Sequence, residues 1–261
     1  MITRFAPSPT GPLHLGHAYS AMLAHDMAMA ENGTFLLRIE DIDSSRARPA
    51  WETQIYDDLM WLGLRWPEPV MRQSERQAVY QDRLVTLWKK GVLYPCSCNR
   101  KDLLSVASAP QEDAPLVGPD GLIYPGTCRH LHSRSGPFPS AAVLRLDMES
   151  VDLALAKSVG DVVLARRDMG TSYHLSVVID DAAQGVTDVV RGADLLDATP
   201  IHTLLQNLLG LPTPRYHHHD LIRDENGKRL AKRDDARALS KYRTEGATPN
   251  NIRRLVGLPE Q

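Results

Sequence analysis

The first forty residues constrain this chain most. Ile2 to Ala6 is a short apolar-rich run broken by Pro7 and Pro9, which predicts a buried strand ending in a turn. His17 to Ala30 (HAYSAMLAHDMAMA) is dominated by Ala, Leu and Met and predicts a helix. Asn32-Gly33 is a stop, and Thr34 to Ile39 (TFLLRI) predicts a second buried strand. Strand, turn, helix and strand in this order default to a right-handed βαβ crossover with a parallel pair.

The remaining chain follows the same alternation less clearly. Trp51 to Leu62 and Ser74 to Gly91 read as amphipathic helices. From Tyr94 to about Pro139 the sequence becomes rich in Ser, Pro, Gly and Asp, which marks a small insertion poor in regular structure. Ala141 to Leu146 alternates like a strand, Asp161 to Ala165 is a short apolar run, Leu175 to Ile179 (LSVVI) reads as a buried strand, and Ile201 to Leu209 as a helix. With 261 residues, one large domain or one domain with a sizeable insertion is expected. An apolar share of 43% with 24% charged residues excludes a disordered chain.

Bulk charge does not announce a nucleic-acid binder, since 30 Lys/Arg face 32 Asp/Glu. The distribution is uneven, however. Residues 215–254 hold 11 Lys/Arg against 6 Asp/Glu, whereas residues 1–60 hold 4 against 8. The start MITRFAPSPTGPLHLGH lacks the layout of a secretory signal, and no stretch approaches the roughly 20 apolar residues of a membrane span. Three cysteines cannot build a disulfide framework. Cys96 and Cys98, one residue apart, point to metal or redox chemistry in a reducing compartment. A cytoplasmic protein, monomeric and without membrane contact, is expected.

The densest signal is Ala6-Pro7-Ser8-Pro9-Thr10-Gly11-Pro12-Leu13-His14-Leu15-Gly16-His17, set between a strand and a helix. Gly11 and Gly16 allow close approach of a ligand to the backbone. A helix start aims free N–H groups and a positive dipole at an anion, and His14 and His17 can add donors. A phosphate chain is the natural occupant.

His14-Leu15-Gly16-His17 resembles the His-Ile-Gly-His signature of the class I aminoacyl-tRNA synthetases, and Arg4-Phe5-Ala6-Pro7-Ser8-Pro9-Thr10-Gly11 narrows the resemblance to the glutamyl branch. The resemblance implies an α/β fold: a Rossmann-type parallel-sheet catalytic domain with a small zinc-binding insertion and a short helical C-terminus. The layout expected is 1–93 and 140–214 for the two halves of that domain, 94–139 for the insertion, and 215–261 for a basic loop and short C-terminal segment. The family's second signature, Lys-Met-Ser-Lys-Ser, maps onto Arg229, Leu230, Ala231, Lys232 and Arg233, keeping the second lysine but replacing the first by Arg and the serine by Ala. His14, His17 and Lys232 are thereby implied as catalytic. His14, Gly16, His17, Arg229 and Lys232 are implied as the binding set for ATP, a substrate that comes with Mg2+.

For glutamate, the resemblance implies a site built from Arg4, Phe5, Ala6, Pro7, Ser8, Glu40, Tyr173 and Arg191. Glu40 would take the ammonium, and Arg4 and Arg191 the carboxylate. Read alone, Glu40 is a strand-end carboxylate paired with Arg38, and Arg191 one half of a surface ion pair. Zinc needs four ligands, and Cys96, Cys98 and Cys128 supply three. His130 is the ordinary fourth on chemical grounds. The resemblance instead places a tyrosine four residues before the last cysteine, at Tyr124.

Only 28 residues follow Arg233, too few for the helical domain with which glutamyl-tRNA synthetases grip the anticodon. That pattern is similar to the truncated glutamyl-Q tRNA(Asp) synthetases. It implies transfer of L-glutamate, activated with ATP, to queuosine in the anticodon stem-loop of tRNA(Asp). The alternatives are a shortened enzyme charging tRNA(Glu), a noncatalytic zinc-dependent RNA-binding module, and a Rossmann-type nucleotidyltransferase for a small acid.

Overall fold

The computed structural model describes residues 1–99, 101–102, 117–119, 121–222 and 237–260. The chain divides into two compact units. The first comprises residues 1–75, 183–196 and 214–261, and the second residues 76–182 and 197–213.

In the first unit, strand β1 (Ile2–Phe5) leads through the Pro-rich turn into helix α1 (Leu15–Ala30), and strand β2 (Thr34–Ile39) follows. β1 and β2 are parallel, with Ile2 opposite Thr34 and Phe5 opposite Leu37, as the βαβ reading predicts. The turn after α1 uses Asn32 in the left-handed region (φ 48) and a glycine that only glycine can replace. A Cβ on Gly33 would lie 2.1 Å from the Met1 carbonyl oxygen. Helix α2 (Pro49–Trp61) starts with proline in its first turn, where no intrahelical N–H is missed. Strand β3 (Met71–Arg72) then extends the sheet parallel to β2.

The second unit opens with helix α3 (Gln77–Lys89). Strand β4 (Leu93–Cys96) follows, then a short antiparallel pair, β5 (Val117–Gly118) and β6 (Gly121–Leu122). β7 (Val143–Leu146) pairs antiparallel with β4, and after short helices α4 (Met148–Val151) and α5 (Leu153–Ser158), β8 (Val163–Ala165) pairs antiparallel with β7. Helix α6 (Tyr173–Ala183) corrects one reading: Leu175–Ile179 is helical, not a strand. His174 to Asp181 are all buried, polar and apolar alike, so no solvent-facing polar stripe alternates with the apolar residues. The 3.6-residue period is thereby erased, and the β-branched run Val177-Val178-Ile179 imitates a buried strand.

The chain then returns to the first unit. β9 (Asp188–Gly192) is followed by helix α7 (Thr199–Leu209) of the second unit, then by β10 (Arg215–His219), parallel to β9. Thr187, just ahead of β9, donates its N–H to Ile2 O at 3.0 Å. The parallel strands of this unit therefore lie in the order β3, β2, β1, β9, β10. Helices α8 (Leu239–Thr244) and α9 (Pro249–Leu255) complete it. Leu239, Ile252 and Val256 join one apolar core with Ala18, Ala21, Met22 and Ala24 of α1 and Phe35, Leu37 and Ile39 of β2. The small side chains of α1 let the helix lie close on the sheet. Arg253 clamps Asp26 of α1 through two hydrogen bonds of 2.8 Å.

Candidate active site

Open parallel sheets bind ligands beyond the carboxyl ends of their strands, where the strand order reverses. In the first unit that place lies past β1 and β9. A hollow of about 100 Å³ opens there, lined by His14, Gly16, Ser20, Gly192, Asp194, His219, Leu221 and Ile222. Its walls thus come from the segment that follows β1 and from the last residues of β9 and β10 with the segments after them.

The turn after β1 is rigidly built. His14 is the N-cap of α1, and its Nδ1 accepts the Gly16 N–H at 3.1 Å. His17 reaches back so that its Nδ1 accepts the His14 N–H, also at 3.1 Å. This reciprocal pair satisfies two N–H groups that a helix start leaves without intrahelical partners. It also fixes the chemistry of the rings. With Nδ1 accepting, each neutral imidazole carries its proton on Nε2 and can donate from that edge. The two rings lie 3.8 Å apart, centroid to centroid. A Cβ at Gly16 would sit 3.1 Å from His14 Cε1, so any larger residue presses on the His14 ring.

The amino-acid candidates divide between the units. Arg4 and Phe5 are buried in β1, and the Ala6-Pro7-Ser8 segment leaves it. The Glu40 N–H donates to Pro7 O at 3.0 Å, which ties the end of β2 to the turn and brings Ser8 and Glu40 into one neighbourhood. Glu40 Oε1 accepts from Arg38 Nη2 at 3.1 Å. Arg38 is wholly buried, and its Nη1 donates to Gln184 Oε1 at 2.9 Å. The pairing of Glu40 with Arg38 therefore exists, and it fixes where the carboxylate stands. The neighbouring acids are used locally: Asp41 accepts from the N–H and hydroxyl of Ser74, and Asp43 from Ser45 and Arg46.

Arg191 is no surface residue, being 5% exposed in β9. Its guanidinium lies 4.8 Å from the Tyr216 ring centroid, and its Nε donates to His218 Nε2 at 3.3 Å. Burial and the adjacent Arg191 charge push the His218 pKa down, so this ring is neutral at pH 7 and can accept that bond. Tyr173 stands at the start of α6 in the second unit, where its ring packs against His174 and His202. Arg229, Lys232 and the rest of the basic signature lie outside the described residues.

Residues without a sequence motif complete the surroundings. Strand β10 has no counterpart in the periodicity of the sequence, and it explains the run His217-His218-His219. His217 bonds Asp188 at 2.8 Å, and His218 meets Arg191. His219 faces the Asp220 carbonyl through Nδ1, which leaves Nε2 to accept from the Ser20 hydroxyl at 2.7 Å. Three consecutive histidines in a strand, unusual for a surface, were the available signal.

In the second unit, Cys96, Cys98 and Cys128 place their sulfurs within 4.8 Å of one another. The Tyr124 oxygen lies 3.5 Å from Cys96 Sγ and 3.3 Å from Cys98 Sγ, and accepts the Cys128 N–H at 2.9 Å. A tetrahedral zinc with Zn–S of about 2.3 Å would set its sulfurs roughly 3.8 Å apart, so the donor set fits that ion. Tyr124 is buried among the cysteines, whereas His130 is exposed. Burial pushes the Tyr124 and Cys98 pKa values up, the latter to about 11. Burial acts in the same direction on Cys128, but hydrogen bonds led by that from the Tyr124 hydroxyl outweigh it and hold the thiol down.

Residues 1–259 match the catalytic domain of the class I tRNA synthetases (E and Q). This chain belongs to that family. The synthetase is a ligase and is 60% identical to a glutamyl-Q tRNA(Asp) synthetase of Rhodobacter capsulatus, over 99% of this chain and 100% of that protein. It is 44% identical to a glutamyl-Q tRNA(Asp) synthetase of Deinococcus radiodurans, covering 95% and 85%. Among solved structures, a glutamate tRNA ligase from Elizabethkingia meningosepticum, in complex with its amino acid, superposes with a TM-score of 0.76 at 27% identity. The glutamate-tRNA synthetase of Elizabethkingia anophelis gives 0.77 at 26%. Both matches cover 98% of the synthetase, which spans about three fifths of each of those chains, 60% and 61%. No described helix of the synthetase is long and apolar enough to cross a membrane.

Proposed function

We propose that this synthetase activates L-glutamate with ATP and Mg2+ and transfers it to queuosine in the anticodon loop of tRNA(Asp), working as a cytoplasmic monomer. The observation that carries this reading is the 60% identity to the Rhodobacter capsulatus glutamyl-Q tRNA(Asp) synthetase over that protein's whole length.

The site chemistry is compatible with the reading. His14 and His17 would donate from Nε2 to phosphate oxygens of ATP, aided by the N-terminus of α1 and by Lys232 and Arg229. Adenylate formation spreads charge over phosphoryl oxygens, so donors placed in advance lower its barrier. Gly16 would let the phosphates approach the backbone. Glu40, oriented by Arg38, would receive the ammonium, while Arg4 and Arg191 would hold carboxylate, with Phe5, Ala6, Pro7 and Ser8 shaping the pocket. Cys96, Cys98, Cys128 and Tyr124 would hold one structural zinc, whose binding free energy would stiffen the insertion.

Charging assays with radiolabelled glutamate test the acceptor. Label is expected on tRNA(Asp) carrying queuosine, and nearly as well on its isolated anticodon stem-loop. Transfer should weaken steeply with salt, because each neutralised phosphate releases counterions. Label on the 3′-terminal adenosine of tRNA(Glu), with no need for queuosine, would replace this reading by that of a tRNA(Glu)-charging enzyme.

A further inference from the structure

Arg145 is buried, at 8% exposure, in a place where a cation needs explaining. A guanidinium does not give up its proton in a protein, so burying it requires a compensating anion. Its neighbours have carboxylates: Arg129 meets Asp147, Glu149 and Asp161, and Arg134 meets Asp147. Arg145 has none among the described residues. Its Nη1 donates to the Asp161 backbone carbonyl at 2.6 Å and its Nε to Cys96 Sγ at 3.3 Å. Its guanidinium also lies 3.8 Å from the Tyr124 ring centroid.

The sheet delivers it there. In the β4–β7 ladder Tyr94 stands opposite Arg145 and Cys96 opposite Val143. Alternation along a strand puts these four on one face, while Leu144 and Leu146 take the other. The register of β7 against β8 shifts between Leu144 and Arg145, a local irregularity of the kind that re-aims a side chain.

We propose that Arg145 is the counter-charge and positioning residue of the Cys96–Cys98–Tyr124–Cys128 centre. Three thiolates around a divalent ion leave one negative charge, and a phenolic ligand can only add to it. One guanidinium, fixed by the Asp161 carbonyl, offsets that charge and holds Cys96 and Tyr124 in ligating positions. The inference rests on the metal reading of this cluster.

Zinc release from the full chain into excess chelator, followed by absorbance, tests it. The wild-type chain should carry one zinc, and a zinc-free wild type would sink the metal reading itself. Given a zinc-loaded wild type, Arg145→Met should release zinc about ten- to a hundredfold faster, if the ten- to hundredfold loss of metal affinity typical of removing a ligand's partner falls on the release step. Arg145→Lys keeps the charge but not the flat, two-directional contact, and should fall between. Tyr94→Phe serves as the control: it removes a bond of 2.5 Å to Asp161 in the same buried network, keeps the ring that packs beside Cys96 and Cys128, and takes away no hydrogen bond to a sulfur. It should lower the melting temperature with zinc release within twofold of wild type. Wild-type release rates in the Arg145 variants, or equal acceleration in Tyr94→Phe, would overturn the proposal. If Arg145→Met does not fold, Arg145→Lys decides by the same criterion.

Discussion

Gly16→Ala separates stability from chemistry at the turn between β1 and α1, proposed above to hold the phosphates of ATP. The added Cβ would lie 3.1 Å from His14 Cε1 and 3.2 Å from His14 Nδ1, inside the 3.5 Å or so at which such atoms rest comfortably. The imidazole must retreat by a few tenths of an ångström. In doing so it stretches the Gly16 N–H to Nδ1 bond, already 3.1 Å long. Gly16 has no positive φ, so alanine suits the backbone and should gain about 0.4–1 kcal/mol through the unfolded chain. Weakening the N-cap bond costs up to about 1 kcal/mol. The two nearly cancel, and the melting temperature should stay within about 3 °C of wild type. The reaction has no such offset. A misplacement near 1 Å costs about a hundredfold, so a displacement of less than half that should cost roughly tenfold, or about 1.4 kcal/mol of barrier. Glutamate-dependent ATP–pyrophosphate exchange, measured beside a thermal melt, checks both halves. Full exchange activity would refute the claim that His14 must be held in place. A melting temperature lower by more than about 5 °C would show that the loss comes from the fold.

Other outcomes follow from the same geometry. Arg191→Ala should abolish glutamate activation while ATP binding persists, because removing one partner of a desolvated charge pair costs about 2–5 kcal/mol; unchanged exchange kinetics would exclude Arg191 from the pocket. Elemental analysis of protein purified without chelators should find one zinc, and Tyr124→Phe should lose it readily while His130→Ala keeps it; the reverse pattern would make His130 the fourth ligand. Asp188 is buried, which alone would raise its pKa, but hydrogen bonds from Arg215, Thr187 and His217 hold it down to about 2. Its contribution, about 1–2 kcal/mol, is therefore full above the unfolded value of 3.8 and lost as pH falls toward 2. Urea unfolding from pH 6 to pH 2.5 should show Asp188→Asn less stable than wild type at pH 6 and the gap closing in acid; a constant gap would refute the linkage.

The sequence alone determined the features written in short-range pattern. The βαβ start was readable because its strands and helix are bounded by Pro7, Asn32 and Gly33, and each boundary residue acts on its own backbone. His14, Gly16 and His17 were readable because a helix start and its caps lie within four residues. Cys96 and Cys98 were equally local. Tertiary structure decided what depends on distant pairing. The buried setting of Arg191, the neutral His218 beside it and the contact of Ser20 with His219 all require β10 to lie against β9, and no periodicity in the sequence announces a pairing between segments so far apart. Burial also hid information: α6 is enclosed on every side, so its sequence lost the period that would have marked a helix. Arg145 shows the same limit, since its neighbours in the chain are Leu144 and Leu146, and only the β4–β7 ladder sets its charge beside Cys96 and Tyr124. Local propensity acts through the residue's own backbone, whereas charge and packing act through space, and the fold alone decides which residues share that space.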